Sequence, residues 1–78
     1  MLTLELVEEC DEKMVYHYYP EGKAEFGTVS INKDTGEILV LKTAKGDEFG
    51  FYKFHVLSTL QKYYESGEYK QKDMVAWY

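Results

Sequence analysis

Val29-Ser30-Ile31-Asn32-Lys33-Asp34-Thr35-Gly36-Glu37-Ile38-Leu39-Val40-Leu41 is the stretch on which the fold of this chain turns. Two runs rich in β-branched and aliphatic residues flank a short polar loop that ends in glycine, the residue that takes a positive φ without steric cost. A loop of this kind joins neighbouring antiparallel strands, so a third strand is expected over residues 25–31 and a fourth over 37–43.

Toward the amino terminus, Leu2, Leu4 and Leu6 alternate with Thr3, Glu5 and Val7, the period-two pattern of a half-buried strand. The acidic run Glu8-Glu9-Cys10-Asp11-Glu12 interrupts it, and residues 13–19 resume with β-branched and aromatic side chains. Tyr19-Pro20-Glu21-Gly22 then puts proline and glycine at the second and fourth positions of a type I turn.

Toward the carboxyl terminus, Asp47 is suited to capping a helix, and Phe49, Tyr52, Val56, Leu57, Leu60, Tyr63 and Tyr64 recur at three- and four-residue spacings on one stripe. Ser66-Gly67 supplies the stop. Residues 49–54 fit either the start of the helix or an extension of the sheet. Beyond a polar stretch, Met74-Val75-Ala76-Trp77-Tyr78 is expected to dock on the sheet or helix, in the form of a short edge strand, because two terminal aromatics would otherwise stand in water.

The architecture so assembled is α+β: a four-stranded antiparallel β-meander, then one C-terminal amphipathic helix packed on one face, with a short docked C-terminal segment, all in a single domain over residues 1–78. Leu4, Leu6, Val29, Ile31, Leu39 and Leu41 are assigned to the helix side. Val7, Phe26, Ile38, Val40 and some tyrosines of the second strand then fall on the opposite face, which is too apolar for comfortable exposure and calls for closure by the C-terminal segment, by curling of the sheet, or by a second copy of the chain.

Composition narrows the chemistry. Nine basic residues, all lysine, face fourteen acids for a net charge of −5, and there is no arginine to grip phosphate bidentately. That balance argues against nucleic acid and anionic membranes as partners. The single cysteine, Cys10, excludes an internal disulfide and a cysteine-based zinc site, and its acidic neighbours disfavour a thiolate nucleophile. No leader pattern and no run of about 18 apolar residues is present, so a cytoplasmic location is expected.

The segment from Val29 to Ile38 resembles the strand-turn-strand hairpin of PepSY-type domains, although the helix that precedes that hairpin has no counterpart here. No function is carried over from the likeness.

Two histidines, His17 and His55, would have to meet in space to serve as an acid–base pair, and neither has a second ligand at metal-binding spacing. The acids around Cys10 lack the alternating spacing and turn glycine of a calcium loop, and Lys45-Gly46-Asp47-Glu48-Phe49-Gly50 carries acids where a phosphate loop needs bare amides. No catalytic, cofactor or metal residues are assigned.

Eight tyrosines, four phenylalanines and one tryptophan instead point to recognition by aromatic surface. The expectation is a protein-binding or self-associating module without catalytic activity, a homodimer or a binder of another protein, using Tyr16, Tyr18, Phe26, Val40 and Trp77. The alternatives are an acidic inhibitor of a host nucleic-acid enzyme, of the type carried by mobile elements, and a small enzyme using His17 and His55.

Overall fold

A computed structural model describes residues 1–21, 25–47 and 50–75. The chain forms β1 (Leu2–Glu9), β2 (Lys13–Pro20), β3 (Gly27–Asn32), β4 (Ile38–Lys42), α1 (Phe51–Ser66) and β5 (Lys72–Val75). The five strands make one antiparallel sheet in the order β4-β3-β2-β1-β5. The meander of the first four strands is as expected from the sequence. The fifth strand takes the edge-strand form expected of the C-terminal segment but starts at Lys72, within the polar stretch, and not at Met74: the chain leaves β4 at one edge, passes through α1, and returns at the other edge beside β1, where the Leu6 N–H donates to the Gln71 carbonyl at 2.8 Å. Residues 72–75 thus extend the sheet and do not cover a face, and the rest of the expected docked segment, 76–78, lies outside the described residues.

The β3–β4 loop shows why its residues were selected. The Asn32 side-chain carbonyl accepts the N–H groups of Asp34 at 2.8 Å and Thr35 at 3.0 Å, and Gly36 closes the turn at φ 78°. The β2 exit differs from the type I turn expected there. Pro20 completes the strand and Glu21 adopts φ 52°, whereas a type I turn needs a negative φ at that position. Gly22 is outside the described residues. The Glu21 N–H donates to the Met1 carbonyl and its carboxylate accepts from the amino terminus and from the Tyr52 hydroxyl, contacts that hold the unusual backbone in place.

Helix α1 begins at Phe51, with Gly50 before it at φ 77°, which settles residues 51–54 as helix; Phe49 lies outside the described residues. Capping comes from Asp47, three residues upstream of Gly50. Its carboxylate accepts the N–H groups of Tyr52 at 3.0 Å and Lys53 at 2.9 Å, two of the donors that a helix start leaves without partners. Gly67 ends the helix at φ 75°, its N–H returning to the Tyr63 carbonyl.

Val56, Leu60 and Tyr63 of α1 bury against Leu2, Leu4, Met14, Tyr16, Tyr18, Val29 and Ile31, with Leu6, Ile38, Tyr52, Tyr64, Tyr69 and Val75 at the margin. The face assignment of β4 is therefore reversed from expectation. Ile38 lies opposite Ile31 and Val40 opposite Val29, so both share the helix side, while Leu39 lies opposite Ser30 on the other face. Loop length is the cause. Four residues between Asn32 and Glu37 pair each odd-numbered residue of β3 with an even-numbered residue of β4. Val7 is the extra residue of a bulge between Leu6 and Glu8, which turns Glu8 to the face opposite the helix, across from Val15.

Candidate interaction surface

The residues proposed from sequence as surface contributors separate into three groups. Tyr16 and Tyr18 are fully buried under α1 and have no surface to offer a partner, which corrects their assignment. The strand places Met14, Tyr16, Tyr18 and Pro20 on the helix side and Val15, His17 and Tyr19 on the other, by simple alternation from a register in which Leu4 faces Tyr18. Their hydroxyls are not wet either: Tyr16 donates to the Lys70 carbonyl at 2.6 Å, and Tyr18 donates to Asp47 at 3.1 Å while accepting the Ala44 N–H at 3.0 Å. Burial, more than any neighbouring charge, pushes the ionisation of both phenols above the ordinary tyrosine range.

Phe26 and Val40 remain available, and Trp77 lies outside the described residues. Phe26 is half-buried on the face opposite the helix. The His17 ring stacks on it at 4.0 Å with 19° between planes, the Lys42 ammonium sits 4.2 Å from its centroid, and Tyr19 lies 5.7 Å away. Across the ladder, His17 has Glu5 on one side and Thr28 on the other. His55 is on α1, against the opposite side of the sheet, so the structure does not bring the two histidines together.

Sequence reasoning understated β4. Leu39, Val40 and Leu41 are 52%, 40% and 57% exposed, so this strand offers apolar side chains from both faces at once. It is also a sheet edge. The Asn32 N–H donates to the Glu37 carbonyl, and in that register Glu37 and Leu39 turn their backbone groups toward β3 while Ile38 and Val40 turn theirs outward. Among the described residues no strand meets that outer edge. The unbroken run Ile38-Leu39-Val40-Leu41 was the available signal, because an edge strand normally carries a charge or proline within it.

The opposite edge is protected. The outward N–H of Met74 is taken by its neighbour Asp73, whose Oδ1 accepts it at 2.9 Å, and Lys72 adds a charge to the strand. A cavity of about 420 Å³ lies between the end of α1 and β5, lined in part by Thr59, Lys62, Ser66, Lys70 and Asp73. Its hydroxyls and the Asp73 carboxylate serve the fold: Thr59 donates to the His55 carbonyl, Ser66 to the Tyr63 carbonyl, and Asp73 accepts the Tyr63 hydroxyl. Among the described residues no three acids, histidines or cysteines gather to hold a metal ion. No described helix is long and apolar enough to cross a membrane.

The sequence matches no protein-family model and no curated protein, and no solved structure matches the chain.

Proposed function

We propose that this chain acts by binding protein, and that its partner is a second copy of itself, held through the apolar surface around β4. The observation that carries this reading is the run of Leu39, Val40 and Leu41, exposed on a strand whose outer edge meets no other strand among the described residues. Burial of exposed apolar side chains is favourable and unpaired strand backbone can hydrogen-bond to a further strand, and here the two coincide on one element. A reducing, cytoplasmic setting suits the exposed, unpaired thiol of Cys10. Light scattering coupled to size exclusion, over a wide concentration series, tests the proposal. A mass that settles at twice that of the chain supports it, and a monomer across the whole series overturns it.

A further inference from the structure

We infer that two copies join edge to edge through β4, antiparallel about a two-fold axis at Leu39, so that two five-stranded sheets become one continuous ten-stranded sheet. This builds on the proposed self-association and fixes its geometry. The backbone pattern decides the register. Only Ile38 and Val40 turn their N–H and C=O groups outward before the strand reaches the irregularity opposite Thr28 and Val29. Centring the axis on Leu39 sets Ile38 against Val40 of the partner subunit and Val40 against Ile38 of the partner subunit. All four outward N–H and C=O pairs are then used, giving four backbone hydrogen bonds clear of the bulge. Centring on Val40 instead would draw Lys42 into the ladder, and Lys42 lies within the bulged region and already stands over the Phe26 ring.

Side chains agree with that register. Leu39 meets its own symmetry mate on the face opposite the helix, at the close separation of a pair without mutual hydrogen bonds. Ile38 and Val40 extend the helix-side core across the junction. A two-fold interface must be complementary to itself, and a strand with apolar residues at its centre and matched outward groups on alternate positions meets that condition. A second copy supplies this match with no further component, which is why the inferred partner is the chain itself.

Two variants separate this geometry from stacking of the two sheet faces. Val40→Pro removes an N–H that points away from β3, a position where an edge strand tolerates proline, so the fold is retained by circular dichroism while the mass falls to monomer. Leu39→Cys in a Cys10→Ser background places two thiols across the axis at about 4.5 Å between Cα atoms, within disulfide reach, so mild oxidation yields a covalent dimer. A folded Val40→Pro protein that remains dimeric, or a Leu39→Cys protein that fails to cross-link while dimeric, overturns the edge geometry and leaves self-association standing. A wild-type chain that is monomeric throughout overturns both.

Discussion

The Tyr18 hydroxyl, on the central strand of the sheet, donates to the Asp47 carboxylate at 3.1 Å and accepts the Ala44 N–H at 3.0 Å. Asp47 in turn accepts the Tyr52 and Lys53 N–H groups, so one phenol and one carboxylate bind the sheet centre, the β4–α1 connection and the first turn of the helix into a single network. Asp47 is only 2% exposed, yet its accepted bonds satisfy it, which is the condition for a polar group to lie inside a core.

Tyr18→Phe strands the buried Ala44 N–H and costs roughly 1–3 kcal/mol. Asp47→Ala loses the helix cap, worth about 1 kcal/mol, and also leaves the Tyr18 O–H without its acceptor, so it costs about 2–4 kcal/mol. The double variant costs less than the sum, because each single change already breaks the shared bond. Urea unfolding of the four proteins measures this, and strict additivity would show that the two residues do not act as one network.

Three glycines rank in cost by what a methyl group would meet. At Gly27 an added Cβ would lie 2.1 Å from a ring carbon of the buried Tyr18, at Gly36 it would lie 2.9 Å from the Tyr64 ring with φ 78°, and at Gly46 it would meet nothing within 4 Å at φ 93°. Gly46→Ala therefore costs only the left-handed backbone, about 1–2 kcal/mol, and Gly36→Ala costs that plus displacement of Tyr64. Gly27→Ala exceeds both, since Tyr18 cannot move without breaking the Asp47 network. Thermal unfolding of the three variants gives the order, and a Gly46 variant less stable than the Gly27 variant would refute it.

Residue type alone made some features legible. Gly36 and Gly67 marked a hairpin and a helix end because the left-handed backbone there admits little else, and Val56, Leu60 and Tyr63 marked the buried stripe by their spacing. The faces of β4 were not legible, because Ile38-Leu39-Val40-Leu41 is apolar throughout and carries no alternation to read; pairing through the Asn32–Glu37 loop decides them. Tyr16 and Tyr18 misled for a related reason. A tyrosine is at home in a core or at a surface, and its place depends on whether the folded chain supplies a hydroxyl partner, here Lys70 and Asp47 from far along the sequence. The edge strand at the C-terminal segment was legible, but its start at Lys72 and its pairing with β1 were not, because its first residues are charged and it is held by backbone pairing to β1 more than by its own side chains.

Alkaline pH acts on the same buried phenols. Burial raises the ionisation of Tyr16, Tyr18 and Tyr63 above the ordinary value of 10, and Tyr63 is raised further by its hydrogen bond to Asp73. Below pH 10 both folded and unfolded chains keep these protons, so these groups leave stability unchanged there. Above it the unfolded chain releases protons that the folded chain retains, and stability falls by up to about 1.4 kcal/mol per pH unit for each group. Tyrosinate absorbance should therefore show a late phase that coincides with loss of the circular dichroism signal. Ionisation of every tyrosine in an intact fold would contradict the burial of these three.

Phe51 and Phe54 stand on the outward ridge of α1, 72% and 70% exposed, away from the Val56, Leu60 and Tyr63 ridge that meets the sheet. Phe54→Glu therefore changes stability by no more than about 0.5 kcal/mol, whereas Leu60→Ala, which empties a fully buried site, costs about 2–5 kcal/mol. The same Phe54 variant bears on association. The proposed edge pairing of β4 makes no use of this ridge, so Phe54→Glu keeps the mass of the wild-type protein at every concentration. A fall to monomer on this substitution alone, with the fold intact, would move the association surface from β4 to the helix.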